Sequence, residues 1–204
     1  VLILAAAIVA TAAGFFAYRA TLSERSAAEA VAGLMRLRLP DVSGKEQSLT
    51  QWREKILVVN FWATWCEPCR EEVPVLLRVQ AKHASNGVQV VGISVDSVDK
   101  VRQFAIEYRI GYPLVIGSMA VIDLTRKLGN KAAGLPYTIV LDRSGRVVKS
   151  HLGGISEVEL ESAIRLASAA PGPSRLAQEQ ARGPAPQIHL AEAHQRQNIH
   201  DRRH

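Results

Sequence analysis

The two cysteines of this 204-residue chain are its only thiols, and they lie three positions apart in Trp65-Cys66-Glu67-Pro68-Cys69. A pair with this spacing can alternate between a dithiol and a disulfide. The thiolate is the nucleophile in disulfide exchange, and an ordinary thiol is mostly protonated near neutral pH. Redox chemistry at Cys66 therefore requires a local structure that stabilises an anion.

The segments on either side of the pair predict such a structure. The apolar run Ile56–Trp62 predicts a strand, and apolar positions recur at helical spacing after Cys69, which predicts a helix over about residues 67–83. The first turn of a helix offers unpaired N–H groups and about half a positive charge. Cys66 would attack from that terminus, and Cys69, one helical turn further on, would resolve the mixed disulfide. Pro68 suits the first turn, where its missing N–H costs little.

Two other interpretations of the pair stay open at this point. The cysteines could form half of a zinc site, with His83 and His151 as the remaining ligands, although these histidines are far apart in the chain. The cysteines could also be inert thiols of the core, because cysteine is often buried. Pro68 between them and Trp65 beside them favour the redox interpretation.

Composition sets limits on the class of protein. The chain is 48% apolar, which is enough for a core, and its length allows one domain with extensions. The net charge is +6, but the basic residues are spread along the chain without a Lys/Arg block or an interleaved aromatic platform. We therefore do not expect nucleic-acid binding.

The first 17 residues are uncharged and almost entirely apolar. We expect residues 1–19 to form a membrane anchor, with a cleavable signal as the alternative because residues 10–12 offer a small-x-small motif. Since the sequence starts at Val1 rather than Met, we expect further residues ahead of it. Either interpretation places the rest of the chain outside the cytoplasm. The Ala-, Ser- and Glu-rich residues 20–34 predict a helical tether.

The other end of the chain also changes in composition. Residues 169–204 contain Pro/Gly-rich stretches followed by a polar run, and so little apolar surface predicts a disordered tail. The tail holds four of the six histidines, which leaves weak metal binding open beside a plain solvated role: His189, His194, His200 and His204.

Between these ends, residues 35–168 alternate strand and helix patterns. A short hairpin comes first, over residues 37–49, and a single turn follows at 51–54. Strands are then predicted over 56–62, 88–95, 112–116, 137–141 and 147–151, and helices over 67–83, 98–108, 119–128 and from 157 onward. Ser156 with Glu159 forms a capping box at the start of the last helix. This order predicts an α/β fold with a central mixed sheet flanked by helices.

Two motifs carry a resemblance to a known family. Asn60–Cys69, with the sequence Asn-Phe-Trp-Ala-Thr-Trp-Cys-Glu-Pro-Cys, and Gly134–Thr138, with Gly-Leu-Pro-Tyr-Thr, resemble a thioredoxin-fold protein. More narrowly, the chain is similar to the membrane-anchored TlpA/ResA/CcmG branch over residues 35–167. The segment from 98 to 128 matches the central insertion of that branch.

The resemblance implies roles at several positions. Cys66 would be the exposed nucleophile and Cys69 the buried resolving thiol, with no cofactor beyond this redox-active disulfide. Pro136 aligns with the cis-proline that faces the cysteines, and X–Pro bonds reach the cis form at low cost. The backbone of Leu135 would then pair with an extended substrate. We place four residues on the substrate-binding surface: Trp65, Glu67, Leu135 and Pro136.

Three polar residues complete the expected site. Glu72 aligns with an acidic residue that the branch places near the cysteines, and it is a candidate general base for Cys69. Glu67 should oppose thiolate formation on Cys66, as in reducing members. Asn60 stands where cytosolic thioredoxins have a buried Asp, so a proton-accepting role would be absent or would pass to Glu72.

The resemblance implies a thiol-disulfide oxidoreductase on the periplasmic side of the cell membrane, held by a single anchor. It would reduce disulfides of partner proteins, for example in cytochrome c maturation or copper-site assembly, and a transmembrane electron donor would reduce it again. Two alternatives stay open: a copper-binding thioredoxin-fold chaperone, with His151 or the tail as a nitrogen ligand, and a peroxiredoxin-like peroxide reductase.

Overall fold

The structure is a computed structural model that describes the backbone of residues 2–170, and the side chains of residues 2–10, 20 and 23 are not described. Within this range the elements occur in an order close to the prediction. The helices are α1 (Leu2–Arg36), α2 (Glu67–His83), α3 (Val98–Glu107), α4 (Met119–Arg126) and α5 (Glu157–Ala169). The strands are β1 (Arg38–Pro40), β2 (Glu46–Ser48), β3 (Ile56–Trp62), β4 (Val88–Ser94), β5 (Leu114–Ile116), β6 (Tyr137–Leu141) and β7 (Val147–Leu152).

Five strands form the central sheet, in the order β5-β4-β3-β6-β7. β3, β4 and β5 run parallel, whereas β6 and β7 pair antiparallel. All seven residues of β3 are buried, as expected for a strand covered on both faces. The predicted mixed sheet flanked by helices is confirmed.

Each face of the sheet has its own apolar core. Alternate residues of β3 point to opposite faces, so Ile56 and Val58 join one core while Leu57 and Val59 join the other. The first core receives α2, α3 and α5, and the second receives α4 and the end of α1. The redox motif at the start of α2 is therefore anchored between a buried strand and a buried helix face.

The predicted tether contributes to the second core. α1 continues without a break to Arg36, and Ala30, Val31 and Leu34 are buried in the core. These apolar residues occupy one face of the helix, so the packed region begins before the boundary expected at residue 35. Among residues 2–170, we find no helix that combines the length and the apolar character needed to cross a membrane.

The predicted hairpin is present as the antiparallel pair β1–β2. The helical turn after it is a 3-10 helix at Leu49–Trp52, earlier than the expected 51–54. The Ser48 side chain accepts a hydrogen bond from the Thr50 N–H at 3.4 Å, and this cap begins the turn sooner. A disordered tail was predicted over residues 169–204, but residue 169 is the last residue of α5. The tail residues from 171 onward, including the four histidines, lie outside the described residues.

Candidate redox site

Cys66 and Cys69 lie at the N-terminus of α2 and are joined by a disulfide bond with an S–S distance of 2.04 Å. Cys66 is the N-cap residue of the helix, and its side chain makes no capping hydrogen bond. Pro68 lies in the first turn, as predicted. Cys66 thus lies at the helix N-terminus, where the unpaired N–H groups of a first turn stabilise a thiolate.

Cys69 is buried, as the resemblance implied, but the exposure of Cys66 differs from the expectation. Cys66 was expected to be exposed, but it keeps only 5% of its surface accessible, while Cys69 keeps 1%. In the disulfide, the sulfur of Cys66 faces its partner and the surrounding apolar core rather than solvent. The exposed residue at this point is Trp65, which is 69% accessible.

Glu72 lies one helical turn after Cys69 and is almost completely buried, at 3% exposure. The Asn60 amide Nδ2 donates a hydrogen bond to Glu72 Oε1 at 2.6 Å, and the Ile155 N–H donates to Oε2 at 3.1 Å. The same Asn60 amide also donates to Thr138 Oγ1 at 3.0 Å. The carboxylate is therefore held by α2, β3 and the loop before α5.

The surroundings of Glu72 displace its pKa into the neutral range. Burial raises the pKa of Glu72 to about 7, and the two hydrogen bonds from Ile155 and Asn60 oppose this rise only in part. Tyr112, from the central insertion, is also buried, and burial together with the nearby Glu72 charge raises its pKa. A carboxyl group in this setting can hold or release a proton at physiological pH.

The peptide bond between Leu135 and Pro136 is cis, as the resemblance implied. Asn130, a buried residue that the sequence analysis missed, makes two hydrogen bonds to Gly134, the residue before Leu135. Its Nδ2 donates to the Gly134 carbonyl, and its Oδ1 accepts from the Gly134 N–H, both at 3.0 Å. Within residues 2–170, the Leu135 backbone has no hydrogen-bond partner, which leaves it available to pair with an added strand.

A second segment that the sequence analysis missed is the loop from Gly153 to Ile155. The Gly153 N–H donates to the Pro136 carbonyl at 2.8 Å, and the Ile155 N–H reaches Glu72. Gly153 has φ of +98°, a conformation that favours glycine. The loop therefore ties the cis-proline to the buried carboxylate, yet its sequence carries no chemical group that could have signalled this role.

Two contacts hold the surface around the disulfide. Thr64, just before the motif, donates a short hydrogen bond from its hydroxyl to Asp96 Oδ2. The Arg70 guanidinium, just after the motif, donates to the Tyr108 hydroxyl at 3.1 Å and lies over its ring. Glu67 is exposed between the cysteines.

The histidines considered as zinc ligands face carboxylates of α5. His83 Nε2 lies 3.6 Å from Glu161 Oε1, and His151 Nδ1 lies 3.7 Å from Glu159 Oε1. In the described part of the chain, no group of three or more Cys, His, Asp and Glu side chains is arranged to hold a metal ion.

Comparison with known proteins assigns the family. The Redoxin family profile matches residues 25–164. The thiol-disulfide oxidoreductase ResA of Halalkalibacterium halodurans is 28% identical over 162 residues, which cover 78% of this chain and 89% of ResA. The thioredoxin-like protein YneN of Bacillus subtilis is 31% identical over 132 residues, which cover 63% of this chain and 74% of YneN.

A solved structure agrees with this assignment. The thiol:disulfide interchange protein of Chlorobium tepidum superposes with a TM-score of 0.60 and 30% identity, over 65% of this chain and 93% of its own. The chain therefore belongs to the Redoxin family and is a thiol-disulfide oxidoreductase with a thioredoxin fold.

Proposed function

We propose that this oxidoreductase reduces disulfides in partner proteins outside the cytoplasm, by means of the Cys66–Cys69 pair. The observation that carries the proposal is the bonded pair at the start of α2 with a buried carboxyl group one turn behind it. The reaction as proposed uses these two sulfurs alone and needs no cofactor.

The proposed exchange has two steps. The thiolate of reduced Cys66 attacks one sulfur of the partner's disulfide, so that a mixed disulfide forms and the partner's other sulfur leaves as a thiolate. Cys69 then loses its proton and attacks the Cys66 sulfur. The mixed disulfide breaks, the Cys66–Cys69 disulfide forms, and the partner leaves as a dithiol carrying two electrons. The thiols of a transmembrane electron donor restore the reduced pair by the reverse exchange.

Glu72 is proposed as the general base of the second step. Cys69 must become a thiolate although it is buried, and burial in apolar surroundings opposes ionisation of a thiol. Glu72 lies on the same helix one turn away, and its pKa of about 7 suits a group that accepts a proton near neutral pH. Its proton then returns to solvent or to the departing partner.

The proposed substrate surface lies beside the disulfide. Trp65 offers an exposed aromatic side chain, and Leu135, next to Pro136, offers a backbone that is unpaired within residues 2–170. An extended segment of the partner would pair with the Leu135 backbone as strands do at a sheet edge. Glu67 adds a negative charge between the cysteines, which resists an over-acidic and strongly oxidising Cys66.

The proposed setting is the periplasmic side of the cell membrane, and the proposed task is to keep thiols of an apocytochrome c or a copper-site protein reduced. The uncharged apolar residues 1–17 and the relation to ResA support this setting. Cell fractionation with alkaline extraction and protease added to intact spheroplasts tests it. Recovery of the full chain in the cytosolic fraction would contradict the proposal.

The reduction potential and a trapping experiment test the proposed direction. We expect a potential near −270 mV, as in thioredoxin, whereas a value near −120 mV would indicate an oxidase. Cys69→Ser should trap a mixed disulfide with the partner and lose insulin-disulfide reduction. Full activity of this variant would rule out the two-step exchange. Parallel assays with hydrogen peroxide and with Cu(I) separate the peroxidase and copper-chaperone alternatives.

A further inference from the structure

The Glu72 carboxyl group is held by neutral donors alone. Each of its oxygens receives one hydrogen bond, from the Asn60 amide at 2.6 Å and from the Ile155 N–H at 3.1 Å. Within residues 2–170, no Lys, Arg or His forms an ion pair with it. Its charge is therefore balanced by two dipoles, one of which belongs to a side chain that can turn.

Asn60 is itself held in place. It lies at the middle of the central strand β3, directly opposite Thr138 on β6, and both side chains are buried. Its Nδ2 carries two hydrogens, and one is donated to Glu72 while the other is donated to Thr138 Oγ1 at 3.0 Å. The hydrogen bond to Thr138 therefore orients the Asn60 amide so that its N–H group, rather than its oxygen, points towards the Glu72 carboxylate.

We infer that Asn60 is a positioning residue, oriented by Thr138, that serves Glu72 in both of its protonation states. With the carboxylate ionised, Nδ2 donates to it. With the carboxyl group protonated, a half-turn of the amide places Oδ1 where it accepts the Glu72 O–H and the Thr138 hydroxyl proton. The Glu72 carboxyl group and the Thr138 hydroxyl thus keep a hydrogen-bond partner in both states. The cost of the change falls on the Asn60 N–H groups, which the half-turn moves away from both.

Neither an apolar residue nor an aspartate at position 60 could both donate to the ionised Glu72 carboxylate and accept from the protonated carboxyl group. Leucine would offer the carboxylate no donor, so ionisation of Glu72 would become harder. Aspartate would place a second carboxyl group at about the same short distance, and two such groups share one proton. This accounts physically for an amide where cytosolic thioredoxins carry an acid.

Two further titratable groups face this region. Tyr112 of the insertion is buried, and burial and the Glu72 charge raise its pKa, so it stays neutral over the range in which Glu72 titrates. His151 on β7 lies opposite Thr138, but its ring bonds the Gly154 carbonyl at 3.2 Å and lies near Glu159. The disulfide-bonded cysteines do not titrate. Asn60 is thus the only side chain that hydrogen-bonds to the Glu72 carboxyl oxygens in the described structure.

The inference rests on the proposed role of Glu72, but its test does not use the reaction rate. The full-length oxidised protein, labelled with ¹³C at the glutamate carboxyl carbon, is titrated by NMR, and the Glu72 signal is assigned by its absence in Glu72→Gln. We expect Asn60→Leu to move the titration midpoint upward by about one pH unit. Asn60→Asp should move it further and split it into two steps.

Thr138→Val is the mildest variant, and it has a matched control. Both Thr138 and Thr125 are buried and accept a hydrogen bond from an asparagine Nδ2 at 3.0 Å, from Asn60 and Asn130 respectively. Thr138→Val should raise the Glu72 midpoint by a measurable fraction of the Asn60→Leu change. Thr125→Val should leave it in place.

Circular dichroism and formation of the Cys66–Cys69 disulfide establish that each variant is folded, and Thr138→Val decides the outcome where an Asn60 variant does not fold. An unchanged midpoint in the folded variants would overturn the inference. A shifted midpoint combined with normal kinetics of Glu72→Gln would instead overturn the general-base role while leaving the positioning by Asn60 intact.

Discussion

Glu72 and Asp142 are equally hidden from solvent, at 3% exposure each, yet their pKa values are displaced in opposite directions. Glu72 lies on α2 beneath the cysteines and receives two hydrogen bonds, from Asn60 and Ile155. Burial dominates there and raises the pKa to about 7.

Asp142 lies in the turn between β6 and β7. Its carboxylate accepts from the Ser144 N–H at 2.9 Å, the Ser144 hydroxyl at 2.6 Å and the Arg146 N–H at 3.0 Å. The Arg146 guanidinium adds a fourth donor at 3.1 Å. Burial alone would raise the pKa of Asp142, but these donors together outweigh it and lower the pKa.

The contrast shows that burial does not by itself mark a carboxyl group as reactive. What differs is the supply of donors. Asp142 has four donors, including a cation, and it stabilises a turn as a permanent anion. Glu72 has two neutral donors, so its charge changes within the physiological range. A buried carboxylate with too few donors is therefore the stronger indication of proton transfer.

The largest effect should come from removing the titrating group at the redox site. Glu72→Gln should slow the resolving step about a hundredfold near pH 7, equivalent to about 2.7 kcal/mol, because Cys69 loses its proton acceptor. Stopped-flow measurement of Trp65 fluorescence during oxidation of the reduced domain follows this step. Glu71→Gln, on the exposed side of the same helix turn, is the matched control and should keep the normal rate.

Removing the turn carboxylate should affect stability instead of rate. Asp142→Ala should lower the free energy of unfolding by about 2–3 kcal/mol, because the turn loses the four hydrogen bonds that its carboxylate accepts. Urea denaturation measures this change, and Asp99→Ala, at an exposed ion pair with Arg102, should change it little. The folded Asp142→Ala protein should keep its redox activity. A loss of activity with unchanged stability would reverse the roles assigned to the two carboxylates.

The two groups should also affect stability in different pH windows. The pKa of Glu72 is raised from 4.5 to about 7 in the folded state, so its contribution is complete below pH 4.5 and is lost as the pH rises through 7. Relative to Glu72→Gln, the wild-type protein should lose about 2 kcal/mol of stability between pH 5 and pH 8.

Asp142 has the opposite sign. Because its pKa is lowered, its contribution is complete above its ordinary value of 3.8 and is lost as the pH falls through the lowered pKa. Denaturation curves recorded from pH 3 to pH 9 separate the loss of stability at high pH from the loss at low pH. If the loss at high pH persists in Glu72→Gln, a group other than Glu72 is responsible.

The sequence predicts most of the fold because its signals are local. The bounds of β3, α2 and β6 agree with the prediction, since apolar runs and turn residues mark them. The end of α1 was assigned to a tether because of its Ala-rich composition. That composition gave no indication that Ala30, Val31 and Leu34 enter the core. β5 starts at Leu114 rather than at Tyr112, whose side chain is buried instead near Glu72.

The site was predictable only where its residues share a motif. The cysteines, Pro136 and Glu72 are marked by spacing or by family resemblance. The contact between Ile155 and Glu72 joins positions 83 residues apart, and the pairing of Asn60 with Thr138 joins positions 78 apart. No periodicity in the chain signals such contacts. The low exposure of Cys66 likewise follows from its packing in the core beside Cys69, which no local pattern of residues signals.

The smallest effect tests whether neutral donors or the cation keep Asp142 ionised. Arg146→Gln keeps the backbone N–H that binds Asp142 and removes only the guanidinium, whose side chain is 67% exposed. A charge so open to water contributes little, so the free energy of unfolding should fall by only about 0.5 kcal/mol, and the loss should disappear in 1 M salt. If Arg146→Gln instead costs as much as Asp142→Ala at every salt concentration, the cation determines the ionisation of Asp142. The contrast with Glu72 would then be one of charge pairing. The lack of an ion pair at Glu72 within residues 2–170, rather than its small number of donors, would explain its reactivity.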